Sequence, residues 1–363
     1  MAATTRATKK NRRLKPKRAR LLQARTPVAV RRIARAFLAA ARRARQRLHV
    51  QGDGQALHDF RVALRRLRST LRIYRPAVDA RMVPRKWRRR LKRLARTTGA
   101  ARDAEVGLAW LSRRRDHIAG EERAACDALI NDWSARRDEA YAKLRRTLDK
   151  EFTPLDAGLH QALAAPAGYV TAPMLAPTAG ALMHDQIAEL GATLHRIASA
   201  ADTRTIHAAR IEAKRLRYLL EPLANELTAG KALLKSLKKF QEDFGELCDR
   251  QVLCEELVAA AAHRATERST HEMQFIFAGG AIAPSADAPI SHGLRALAAR
   301  LSVERKQRYT EIEQRYLGQR ADAFLAPYRT LADALMKTPT ASRRKAVARR
   351  GNEALTRFRR KLL

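Results

Sequence analysis

One segment of this chain occurs twice, and that repetition limits its possible folds more than any other feature. His58-Asp59-Phe60-Arg61-Val62-Ala63-Leu64-Arg65-Arg66-Leu67-Arg68 is echoed by His207-Ala208-Ala209-Arg210-Ile211-Glu212-Ala213-Lys214-Arg215-Leu216-Arg217. A second match trails each copy. Leu91-Lys92-Arg93-Leu94, then Gly99, Asp103 and Val106, parallels Leu237-Lys238-Lys239-Phe240, then Gly245, Asp249 and Val252. Nearly constant spacing between two matched pairs is the mark of a duplicated structural unit. The fold must therefore accommodate two copies of one arrangement. Both copies are rich in cations, which directs attention to an anionic ligand.

Apolar residues recur at helical spacing almost throughout, and period-two alternation is nearly absent, so the chain is expected to be all-α. After Thr26-Pro27, Val30, Ile33, Ala34, Phe37 and Ala41 share one helical face, and this first helix is expected to run to about His49. Further helices are predicted near 84–98, 102–117 and 120–150. Residues 152–180, broken by Pro154, Gly158, Pro166, Gly168, Pro173, Pro177 and Gly180, read as a linker between halves. The second half repeats the order, with helices near 181–199, 204–227, 231–244 and 249–272. A long helix from about 292 to 336, bent near Pro327, follows. No acidic residue precedes Asp53, and residues 1–26 read as a disordered basic tail. Residues 337–363 read as a basic C-terminal segment, helical over 341–362.

The formal net charge is +38, from 74 Lys+Arg against 36 Asp+Glu. Such a field draws in polyanions: nucleic acid, inorganic polyphosphate or an anionic membrane surface. Aromatic residues make up 5% of the chain, which weakens a single-strand nucleic-acid reading that depends on base stacking. Cys126, Cys248 and Cys254 include no C-x-x-C pair, so neither a disulfide framework nor a zinc site is expected; buried small hydrophobes in a reducing compartment fit better. No apolar run approaches the roughly 20 residues of a membrane span, and the basic N-terminus lacks the apolar core of a secretory signal. A cytoplasmic protein is the expectation, and the Ala/Arg-rich composition points to a bacterial source.

Advancing by about 100° per residue from His58 places Arg61, Arg65, Arg68 and Arg72 on one stripe, with Leu64, Leu67 and Leu71 on a neighbouring face. From His207 the same walk gathers Arg210, Lys214 and Arg217. Like charges one turn apart repel by about 0.2–0.5 kcal/mol per pair, and Arg65, Arg68 and Arg72 have no carboxylate on their own stripe. A solvated face is the ordinary meaning of a charge run. Two such runs at equivalent places, each opened by histidine, point instead to regularly spaced negative charge on a ligand. Arginine offers phosphate a planar fork of donors, and lysine a compact charge. On the following helices Arg89, Lys92, Arg93 and Arg96, and Lys235, Lys238 and Lys239, could form a second basic wall. Arg102-Asp103 reads as a structural ion pair or a helix start, and Asp249 as a helix N-terminal cap, rather than as acid–base groups.

These paired motifs resemble the CHAD family, the conserved histidine α-helical domain, over about residues 28 to 336. In those terms the domain's first half spans about 28–151 and its second about 181–336. The resemblance implies an all-α pair of pseudo-symmetric helical bundles with a basic groove or pore between them, and inorganic polyphosphate as ligand. It also implies association with intracellular polyphosphate or polyhydroxyalkanoate granules. Carried over by matched position, the implied contacts are His58, Arg61, Arg65, Arg66, Arg68, His207, Arg210, Lys214, Arg215 and Arg217. One departure is Cys248, which stands where the first copy has Arg102. Many relatives carry an N-terminal triphosphate-tunnel domain; the first motif begins early enough that none is expected here. Glu311-Ile312-Glu313-Gln314-Arg315 is the nearest match to that domain's alternating glutamates, and it lies in a helical pattern. No Gly-rich phosphate loop, H-E-x-x-H or nucleophile elbow occurs. The expectation is a non-catalytic binder without a cofactor or metal. The alternative is a nucleic-acid-binding protein using its basic tails and helix faces.

Overall fold

The computed structural model describes residues 20–48, 54–164, 171–279 and 288–338. The first half contains α1 (Thr26–Arg47), α2 (Gly54–Ile73), α3 (Arg85–Arg115) and α4 (Gly120–Ala164). The second contains α5 (Leu175–His195), α6 (Thr203–Leu220), α7 (Gly230–Phe277), α8 (Ala288–Tyr316) and α9 (Gln319–Met336). No strand occurs among the described residues; one isolated antiparallel bridge joins Arg25 to Met174. Packing runs in the same order in both halves. In the first, α1 meets α2, α2 meets α3, α3 meets α4, and α4 returns to α1; in the second, α5, α6, α7 and α8 follow the same sequence and α9 returns to α5.

Several breaks predicted from Gly and Pro are absent, and in each case a buried stripe overrides the local breaker. Residues 152–164 are helix rather than linker, because Phe152, Leu155, Leu159 and Leu163 all face the core. Pro154 sits inside α4 despite a cost of about 3 kcal/mol in a helix interior. Gly158 is needed there for close packing, since a Cβ would stand 2.1 Å from the Trp87 ring. The helices predicted at 84–98 and 102–117 are one helix, α3, and those at 231–244 and 249–272 are one helix, α7. Asp249 therefore caps nothing; it lies within α7, 3.7 Å from Arg210. The second motif helix ends at Leu220 rather than near 227. The bend expected at Pro327 is instead a break between α8 and α9 at Gly318, whose φ of 58° favours glycine. Pro327 continues within α9.

The tail boundary also shifts. Residues 1–19 lie outside the described residues, but Leu21 and Leu22 donate their backbone N–H groups to the Glu226 carboxylate at 2.7 and 3.1 Å. Thr26 then stitches α1 to α5, donating its N–H to the Pro173 carbonyl at 2.8 Å, while Leu175 N–H reaches the Ala24 carbonyl at 2.9 Å. Residues 20–26 thus belong to the folded body. Of the basic C-terminal segment, Lys337 and Thr338 are described and 339–363 are not.

Neither core belongs to one half. The larger draws on α1 through α9, from Ala29 to Leu335. The smaller lies at the far ends of the long helices, where Leu108, Trp110, Leu111, Leu129 and Trp133 meet Leu253, Leu257, Leu294, Leu297 and Leu301. Arg114–Glu304 at 2.5 Å, Arg300–Glu122 at 2.9 Å and Arg136–Glu256 at 3.1 Å cross its rim. Beyond Ala260, α7 carries no buried residue and ends on the exposed Met273, Phe275, Ile276 and Phe277. Among the described residues no helix is long and apolar enough to cross a membrane. Cys126 and Cys248 are buried and Cys254 partly so; all three are free.

Candidate polyanion site

The apolar face of α2 fixes where its cations go. Phe60, Leu64, Leu67 and Leu71 are buried, which turns Arg65, Arg68 and Arg72 toward a neighbouring surface. Opposite, α3 buries Leu91 and Leu94 and directs Arg85, Arg88, Arg89 and Lys92 back toward α2. Between them is a groove of about 650 Å³. From the α2 side Arg68, Arg72 and Arg75 line it; from the α3 side Arg85, Arg88, Arg89 and Lys92 do so, over a floor that includes Leu71 and Leu91. No carboxylate and no aromatic ring is among these lining residues. Burial, followed by the charges of Arg72 and Arg96, pushes Arg68 below the ordinary arginine range. Its guanidinium still stays charged at neutral pH. The sequence expectation put a groove between the halves; this one lies inside the first half.

The α2 stripe continues from this groove toward the second half, where α2 packs on α6. The Arg66 guanidinium holds the two together, donating Nε–H to Glu221 at 2.9 Å and a second N–H to the other carboxylate oxygen. Tyr218 stands at the junction: Arg217 is 5.0 Å and Arg65 5.9 Å from its ring centroid, within cation–π range. Lys214 stands in the field of Arg210, Arg65 and Arg217. Burial first, then those three charges, lower it to about 7, against a small opposing effect of Cys248. The two motif stripes thus meet within one chain. The Nε atoms of Arg65, Arg88, Arg210 and Arg217 are shielded from solvent and have no hydrogen-bond partner. Buried donors left in this way cost about 1–3 kcal/mol each, a deficit that acceptor oxygens of a bound anion would remove.

Other cations singled out from the sequence are engaged by the protein itself. Arg61 donates to the Thr98 and Gly99 carbonyls of α3, the latter at 3.2 Å. Arg210, its counterpart, lies against Gly245 and near Asp249. The motif's first arginine therefore crosses the next helix at the glycine of the trailing match, which explains why the two matches travel together. Arg93 pairs with Glu151 at 2.6 Å, Arg215 with Glu189 at 3.3 Å and Lys239 with Asp243 at 2.9 Å. Lys235 and Lys238 are exposed on α7 and do not line the α2–α3 groove. His58 and His207 are exposed near the starts of their helices rather than buried in the core. Partial burial, then Arg210 and Lys214, lower the pKa of His207. The side chains of Arg102 and Asp103 are outside the described set, and their backbone lies within α3 rather than at a helix start.

The sequence matches the family model of the CHAD domain over residues 32–258. The chain belongs to the CHAD-domain family. Two solved structures share this fold. The crystal structure of the CHAD domain from the plant Ricinus communis is 24% identical with a TM-score of 0.55, covering 78% of this chain and 96% of that one. PptA from Streptomyces chartreusis is 16% identical with a TM-score of 0.60, covering 80% of this chain and 99% of that one. Among curated proteins, none matches the chain.

Within this CHAD domain the sequence reading missed Arg75, Arg85 and Arg88 in the groove, and Tyr218 at the junction. The three arginines were accessible to the same helical walk. Arg75 follows Arg72 by three positions, and Arg85 and Arg88 continue backward from Arg89 and Lys92 at the same spacing. Tyr218 gives no periodic signal, and its meaning depends on Arg65 arriving from the other half. Among the described residues no group of three or more His, Cys, Asp or Glu side chains could hold a metal ion.

Proposed function

We propose that this CHAD domain binds inorganic polyphosphate without catalysing its turnover. The observation that carries the reading is the α2–α3 groove, lined by seven cations and no carboxylate, opening along a stripe that reaches Lys214 and Arg217. Successive cations on a helix stand about 5 Å apart along its axis, so a linear polyanion can be neutralised at each turn. Binding would be driven by release of condensed counterions and by charge-assisted hydrogen bonds from guanidinium to phosphate oxygen. The absence of an aromatic ring from the groove lining favours a bare phosphate chain over stacked bases. Family membership supports the same ligand and motivates an association with intracellular polyphosphate or polyhydroxyalkanoate granules.

Competition tests this reading against nucleic-acid binding. Long-chain polyphosphate bound to the full chain is challenged with duplex DNA at matched phosphate concentration and physiological salt. DNA is expected to displace polyphosphate only weakly. Equal displacement overturns the groove reading and transfers the weight to the basic tails.

A further inference from the structure

Lys214 is chemically distinct from the other cations of the site. It projects from α6 into the junction with α2, partly buried. The charged groups around it are Arg65 from α2, Arg210 and Arg217 from its own helix, and the Cys248 thiol from α7. His207, about two turns earlier on α6, also lies within its field. Among the described residues Lys214 has no carboxylate partner; Asp249 is on Arg210 and Glu221 is on Arg66. An amine desolvated beside other cations is held in its neutral, nucleophilic form. The same cations, Arg65, Arg210 and Arg217, surround that amine with shielded Nε donors that have no hydrogen-bond partner.

We propose that Lys214 is a covalent acylation site for acyl phosphates, which use the surrounding guanidiniums as their phosphate anchor. This rests on the junction being a phosphate-binding place, as the proposed function holds. The amine lone pair attacks the acyl carbon to form the C–N bond. The bond from that carbon to the phosphate oxygen breaks, and phosphate departs with the electron pair, stabilised by Arg65, Arg210 and Arg217. The proton shed by nitrogen passes to the departing phosphate, leaving a neutral amide and hydrogen phosphate. Nothing is oxidised or reduced. The product removes one titratable cation from the centre of the site, so acylation lowers polyanion affinity. Bound polyphosphate does the reverse: it occupies the anchor and favours the unreactive ammonium.

With its pKa lowered to about 7, Lys214 is free amine at neutral pH far more often than an ordinary lysine, for which the fraction is fewer than about one in a thousand. A less basic amine is a weaker nucleophile, so the expected net advantage is about tenfold. The test incubates the full chain with acetyl phosphate at pH 7 and follows acetylation of each lysine by peptide mass spectrometry. Lys214 is expected to react about tenfold faster than the exposed Lys235 and Lys238. Its rate should level off above pH 8 while theirs still climb. A phosphate-free acylating ester should show a smaller preference for Lys214, and Arg65→Gln should reduce the preference seen with acetyl phosphate. Reaction of Lys214 no faster than Lys235 and Lys238 overturns the proposal, as does an equal preference with the phosphate-free ester. Because that comparison uses the unaltered protein, it stands even if Arg65→Gln misfolds. Polyphosphate is expected to protect Lys214. If protection fails while Lys214 remains the fastest lysine, the acylation site stands and the polyphosphate reading falls.

Discussion

Lys214 carries a conflict between stability and binding. Its pKa in the folded chain is about 7, below the ordinary 10.5. Between those values the unfolded chain holds the proton more readily, so this residue makes stability rise with pH across that window. Phosphate brought against the ammonium raises its pKa again. The Lys214 contribution to polyphosphate affinity should thus be level below pH 7 and fall as pH climbs above it, until the bound-state pKa is passed. Partial neutralisation of His207 acts in the same direction at lower pH. Calorimetric titration at pH 7 in buffers of different ionisation enthalpy should reveal net proton uptake on binding. Lys214→Met should raise the melting temperature, abolish most of that uptake and weaken binding about tenfold, the loss of one charge-assisted hydrogen bond. Unchanged proton linkage in that variant would remove Lys214 from the site.

At the scale of elements, the cations of α2, α3 and α6 divide into those facing ligand and those facing carboxylates. Arg68, Arg72, Arg89 and Lys92 line the groove, whereas Arg93 and Arg215 rest on Glu151 and Glu189. Neutralising each of the first four to Gln should lower the slope of log affinity against log salt by about one unit. Arg93→Gln and Arg215→Gln should leave it nearly unchanged. Fluorescence titrations over a range of salt would separate the two classes, and equal effects would count against a defined groove. That division was only half legible beforehand. Helical periodicity is a local property, so the stripe from Arg61 to Arg72 could be read from spacing alone. Whether Arg66 meets solvent or Glu221 depends on a partner 155 residues away, to which no local pattern refers. Helix ends failed for a related reason. Gly99, Pro154 and Gly245 are breakers by propensity, but buried side chains on either side of them hold α3, α4 and α7 continuous.

For the whole molecule, the repeat read in the sequence does not correspond to two independent bodies. Trp110 and Trp133 of the first half pack in the same small core as Leu253, Leu297 and Leu301 of the second. Leu297→Ala should cost about 2–5 kcal/mol. It should also alter the emission of Trp110 and Trp133, and urea unfolding should remain a single transition for the entire chain. Two separate transitions, with those tryptophans unaffected, would show that the halves are autonomous.

The same shared core sets an order of events while the chain is being made. Trp110, Leu111, Leu129 and Trp133 are synthesised well before the residues that cover them, which extend to Leu301. At ordinary elongation rates the interval is on the order of ten seconds. Throughout it a nascent chain presents an uncovered aromatic face on a finished hairpin. Chains growing side by side on one messenger present that face to a neighbour's newly completed α7 and α8. Exchange of hairpins between copies is therefore the assembly error to which this shared core exposes the chain.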